Sequence, residues 1–102
     1  MRFLVITKQK YMVPPEVQLG LIDGALAWSK RYSASKKLEQ AWGFAGIPGG
    51  GGIANVGSLE ELNQMMAENP LAAIAETEIV PLVNLEESLT LAKKALETMV
   101  KK

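Results

Sequence analysis

Histidine and cysteine are both absent from the chain, which therefore holds no disulfide, no thiolate nucleophile, no Ser-His dyad and no zinc site of the usual kind. Most familiar hydrolase and metalloenzyme chemistries are excluded at once. Net charge is lacking too: 11 basic residues balance 11 acidic ones, and no basic run is dense enough to follow a phosphate track. Nucleic acid is not an expected partner. No apolar run is long enough to span a membrane, and the apolar start Met1–Ile6 is too short for a secretory core and has no small-residue cleavage site. The expected location is cytoplasmic. What remains is a chain of 102 residues, 48% apolar and 22% charged, the make-up of one globular domain.

Met1–Lys8 reads as a buried strand, with Gln9–Met12 able to extend it until Pro14-Pro15 ends any ladder. Pro15 suits a first helical turn, and Glu16 beside it complements the positive end of the helix dipole. The helix runs to about Tyr32. Steps of 100° place Val17, Leu21, Gly24, Ala25, Trp28 and Tyr32 on one face, the expected core stripe. Leu19, Ile22 and Leu26 form a second stripe that asks for a partner. Gly24 and Ala25, set between Leu21 and Trp28, leave space beneath the helix for a ligand or a close backbone contact.

Leu38–Ala45 alternates, with Leu38, Gln40, Trp42 and Phe44 on one side, and is expected to be the second strand. The glycine run Gly49–Gly52 is expected in or near the hairpin that follows, where missing side chains widen a cavity or mark close packing or a mobile lip, and Ile53–Val56 is expected to be the third strand. Ser58-Leu59-Glu60-Glu61 is a capping box opening a short helix with Leu59, Leu62, Met65 and Met66 inward, stopped by Asn69-Pro70. Ala75–Leu82 alternates again as a fourth strand, Pro81 marking an edge or an end. Asn84, with Glu87 three residues on, caps a last helix carrying Leu85, Leu89, Ala92, Leu96 and Met99 at a four-three spacing.

The order β-α-β-β-α-β predicts an α+β, ferredoxin-like core over residues 1–83, a four-stranded antiparallel sheet with both helices on one face, followed by an amphipathic helix over 84–102. The opposite sheet face is left bare. Burying such a face is worth about 25 cal/mol per Å², so a homodimer, sheet against sheet, is expected.

Trp42-Gly43-Phe44-Ala45-Gly46, Val56-Gly57-Ser58-Leu59-Glu60-Glu61-Leu62 and Pro70-Leu71 resemble, without a gap, the muconolactone isomerase family. With the strand Phe3-Leu4-Val5 and the first helix, the resemblance covers most of the chain up to about Leu82. It implies a dimeric α+β barrel assembled as dimers or rings of dimers, and a cofactor-free proton shift in an unsaturated lactone from aromatic catabolism. Isomerases of the family carry histidine in the first strand and polar side chains in the hairpin. Leu4 and Ile47–Gly51 occupy those places here, so the fold is carried over and the catalytic residues are not.

Candidate residues follow from the strands. Glu76 and Glu78 share one side of the fourth strand and Lys8 and Lys10 one side of the first, so a cross-strand ion pair is the expected structural role. Lys8, Glu76 and Glu78 become catalytic candidates where a carboxylate is desolvated. Gly49–Gly52 lacks the Lys-Ser/Thr register of a phosphate loop. Trp28 and Trp42 are expected to wall a pocket between helix and sheet, with Tyr11, Tyr32, Gln40 and Asn55 as polar handles. The expected function is binding of a small apolar or aromatic-derived molecule, with any catalysis an isomerisation that needs neither cofactor nor metal. The alternatives are a non-catalytic metabolite-binding or assembly module and, by fold analogy alone, a cofactor-independent oxygenase.

Overall fold

The β-branched start, the proline-opened helix and the capped short helix fold as the elements β1 (Arg2–Gln9), α1 (Pro15–Ala34), β2 (Leu38–Gly43), β3 (Gly49–Asn55), α2 (Leu59–Ala67), a 3-10 turn (Pro70–Ile74), β4 (Ala75–Leu82) and α3 (Leu85–Val100). This computed structural model describes residues 1–100. The strands form one antiparallel sheet in the order β2-β3-β1-β4, which is the ferredoxin-like arrangement. β4 is an edge strand, and the missing N–H of Pro81 is tolerated there.

Alternation along β1 fixes the two faces. Phe3 and Val5 point to the helices and are buried with Leu38, Ala54, Val56, Leu62 and Met65, while Trp28, Tyr32 and Met66 pack against this cluster. Leu4, Ile6 and Lys8 point the other way, toward a face that no described helix covers. β4 follows the same parity, with Val80 opposite Leu4, Glu78 opposite Ile6 and Glu76 opposite Lys8.

Two expectations are corrected. The third strand starts earlier than Ile53: Gly49–Gly52, expected in or near the hairpin, is the first part of β3, paired with β1 on one side and β2 on the other. The turn is the short stretch before it, with Gly46 at φ +83 and the Phe44 N–H donating to the Gly49 carbonyl. Close approach explains the glycines. A Cβ on Gly50 would lie 2.5 Å from the Trp42 carbonyl oxygen, and one on Gly52 2.7 Å from that of Gln40. Pairing on both sides overrides the weak strand propensity of glycine.

The second correction concerns β2. A bulge between Leu38 and Gln40 breaks the alternation, so Leu38 lies opposite buried Ala54 whereas Gln40 lies opposite Ile53 and Trp42 opposite Gly51. Leu38 and Gln40 therefore do not share a side, and Phe44 lies past the end of the strand.

α3 leaves the body of the molecule. None of its described side chains is buried, and the molecule is drawn out to 64 Å against 28 and 23 Å across. Asn84 caps the helix as expected, its Oδ1 accepting the Glu87 N–H at 3.0 Å.

Gly50→Ala is expected to destabilise the fold by about 1–3 kcal/mol, because the Cβ meets main chain that must shift. Gly20→Ala, in α1 with nothing within 4 Å, is expected to stabilise it by about 0.5–1 kcal/mol. Urea unfolding of the two variants measures both.

Candidate functional site

The small residues of α1 act in two ways. Gly24 takes the 3-10 turn: a Cβ there would come 2.6 Å from Pro70 Cγ, so the glycine admits the proline ring against the helix. Ala25, one residue on, leaves room instead. Between α1 and the sheet lies a cavity of about 200 Å³, floored by Val5, Thr7, Gly50, Gly52 and Ala54, roofed by Ala25, Trp28 and Ser29, and closed by Met65, Met66 and Leu71. The floor is low because Gly50 and Gly52 present no side chain to the helices.

Trp28 is held in place. Its indole N–H donates to the Met65 carbonyl at 2.9 Å, and its ring lies 5.4 Å from that of Tyr32 at a tilt of 58°. With the N–H engaged, the indole offers a ligand only its apolar surface. Trp42, expected as the second wall, reaches the cavity only from its place in β2: it pairs with Gly51, which shares the parity of Ile6, and its Nε1 stands 2.8 Å from where a Cβ of Gly51 would be, so its ring lies on the open face of the sheet. The polar groups at the wall are few: Thr7, Ser29 and Asn69. Asn69 Oδ1 accepts the Leu71 N–H at 3.1 Å, which leaves its amide NH2 unused by that bond. No lining residue is acidic or basic.

The other expected pocket residues stand elsewhere. Tyr11 is exposed after β1, and Gln40 is turned toward the register of Ile53. Tyr32 reaches Glu68, which also pairs with Arg31 at 3.2 Å, and together they pin the end of α1 to the end of α2. Asn55 Oδ1 accepts from the N-terminal ammonium at 3.4 Å, at the far end of β3. Thr7 and Ser29 line the cavity in addition to the residues expected from the sequence. Thr7 has the same strand parity as Phe3 and Val5, and Ser29 follows Ala25 by one helical turn, so periodicity already pointed to both.

Lys8, Glu76 and Glu78 come together as expected, but on the sheet face away from this cavity, where they line a shallow groove with Ile6 and Thr77. The expected cross-strand ion pair is not formed. Among the described residues the ion pairs are Arg2–Glu39, Arg31–Glu68, Lys37–Glu61 and Lys93–Glu97, and none involves Lys8. An exposed lysine keeps its hydration and rotamer freedom, which such a pair would only just repay. Lys10 lies beyond the end of β1, its N–H donating to the Ile74 carbonyl.

Charged groups with shifted ionisation serve structure. A hydrogen bond and ion pair from Arg2, at 2.6 Å, hold the Glu39 carboxyl below the usual range and raise the guanidinium in turn. The Lys37 ammonium, at 2.9 Å, lowers Glu61, helped by the Gly57 N–H. Ser58 Oγ accepts the Glu61 N–H at 3.1 Å, so the capping box is present, with its return bond made to Gly57 rather than to Ser58.

Against solved structures, the chain aligns with muconolactone isomerase at a TM-score of 0.76 and 22% identity over 82% of this chain and 90% of that one. It has the muconolactone isomerase fold. The 5-chloro-2-hydroxyhydroquinone dehydrochlorinase of Burkholderia phenoliruptrix, solved with 2,5-dihydroxybenzoquinone, aligns at a TM-score of 0.67 and 18% identity over 85% of this chain and 98% of that one. No family model and no curated protein matches the sequence. Within the muconolactone isomerase fold as this chain builds it, the helix-side cavity and the charged groove lie on opposite faces of the sheet. No helix among the described residues is long and apolar enough to cross a membrane.

Acid should loosen the cap of α2. Glu61 and Glu39 ionise more readily in the folded chain than in the unfolded one, so their contribution is complete above the ordinary carboxylate range and is lost as pH falls through the depressed folded values. Thermal unfolding followed from pH 7 to pH 2 is expected to show this loss, with a shallower fall for Glu61→Gln than for the natural chain.

Proposed function

We propose that the protein binds a small, uncharged, monocyclic molecule in the cavity between α1 and the sheet, as a homodimer closed over the bare sheet faces. The observation that carries this reading is a cavity of about 200 Å³ beside an immobilised indole, with three neutral polar side chains at its wall and no ionisable one. An engineered cavity of about 150 Å³ accepts benzene, so this volume suits one ring with one or two substituents. An apolar lining with a few polar groups favours a planar neutral ring over a charged metabolite. The similar dehydrochlorinase structure holds a molecule of that shape, a dihydroxybenzoquinone.

Binding without turnover is the reading preferred. A proton shift needs a titrating group within about 2.6–3.2 Å of the moving proton, and Lys8, Glu76 and Glu78 stand across the sheet from the bound ring. A cofactor-free isomerase would have to place its substrate in the charged groove, beneath a second copy of the chain.

Titration with neutral lactones, phenols and quinones is expected to change tryptophan emission saturably. Ala25→Leu, which fills the cavity from a helix position open to it, is expected to weaken that binding at least tenfold. No response from the natural chain to any of the panel, or unchanged affinity in the variant, refutes the reading. The assembly is tested separately by light scattering. The bare face carries Leu4, Ile6, Ile53, Val80 and Leu82, so a mass of at least two chains is expected, reduced by Ile6→Glu.

A further inference from the structure

α3 exposes its whole apolar stripe: Leu85, Leu89, Leu96 and Met99 are each 59–70% accessible. No described part of the same chain covers it. The stripe has the four-three spacing of a coiled-coil seam, Leu89 and Leu96 at one seam position and Leu85, Ala92 and Met99 at the other. We infer that the stripe is covered by α3 of a second copy, running antiparallel about a two-fold axis between Thr90 and Leu91.

Two features select this occupant and this direction. In the antiparallel alignment Leu89 faces the partner's Ala92, so each of the two central layers matches a large side chain with a small one, and Leu85 faces the partner's Leu96 in the layers outside them. A parallel pair would set Ala92 against itself and leave a gap. The charges agree. Glu86 and Lys93 each follow a residue of the second seam position, and antiparallel pairing brings Glu86 beside the partner's Lys93, twice by symmetry. Parallel pairing places Ser88 beside Lys93 and Ala95 beside Val100, and matches no charges. Lys93 is available for exchange, its contact with Glu97 in the same helix being a loose 3.9 Å between exposed side chains.

Two heptads make a short seam, marginal for isolated helices. The pairing therefore draws on effective concentration within an assembly held by other contacts as well. It is an interface distinct from the bare sheet face and from the cavity, and does not rest on what the cavity binds.

The absence of cysteine makes the test clean. Leu85→Cys and Leu96→Cys chains, carrying different tags and co-expressed, are expected to form a mixed covalent dimer on mild oxidation. Either chain alone is expected to form none, since like positions lie about 16 Å apart along the paired helices. Glu86→Lys or Lys93→Glu in that background should lower the cross-linked fraction about fivefold, and the two together should restore it. Self-cross-linking of each single variant would establish a parallel pair and overturn the inference. No cross-link in the mixture, with circular dichroism showing α3 intact, would overturn it too.

Discussion

Close approach of backbone to backbone across β3 is the constraint from which the rest of the structure follows. Four successive residues without a Cβ let β1 and β2 close on both sides of the strand, with main-chain oxygens and the Trp42 indole standing where side chains would otherwise be. The sheet is continuous there but has almost no thickness of its own. On the helix side that thinness becomes volume, because Gly50 and Gly52 contribute nothing to fill the space under Ala25 and Trp28. Removing side chains from a strand costs entropy and packing. Here the same removal produces the cavity.

The consequence for chemistry is a division of labour between two faces. The helix side is apolar and neutral, its one indole N–H committed to the Met65 carbonyl. The open side carries Lys8, Glu76 and Glu78 beside an apolar centre. Strand parity enforces this separation: Lys8 alternates with Thr7, so one reaches the groove and the other the cavity. A molecule placed under α1 would meet hydroxyl and amide groups, and a second copy laid over the open face would meet the charges.

The assembly reading has a similar physical root. Seven buried hydrophobic side chains among the described residues are a small core for a chain of this length, and the apolar surface left over lies on the open face of the sheet, along α3 and on the outer stripe Leu19, Ile22, Leu26 of α1. A small domain with that distribution gains more from closing on copies of itself than from further packing within one chain. α3 is the extreme case, a helix capped by Asn84 with no partner for its apolar face among the described residues.

Local rules made much of this legible. The element order, the bounds of β4, the caps at Ser58 and Asn84 and the half-buried face Leu21, Gly24, Ala25, Trp28 and Tyr32 of α1 all follow from periodicity and capping chemistry, which act within a few residues, whereas Val17 and Leu59, expected to face inward, are exposed. The space beside Ala25 and Trp28 follows from the same periodicity. What sequence could not fix was whatever depended on a strand two elements away: that the glycines lie inside the sheet rather than in its turn, that a bulge turns Gln40 away from Leu38, that Pro70 fills the notch at Gly24, and that Tyr32 reaches Glu68 instead of the cavity. Helical and strand periods are properties of one segment, written in its own residues. Close approach and cavity volume are properties of pairs of segments, and they exist only once the chain has brought those segments together.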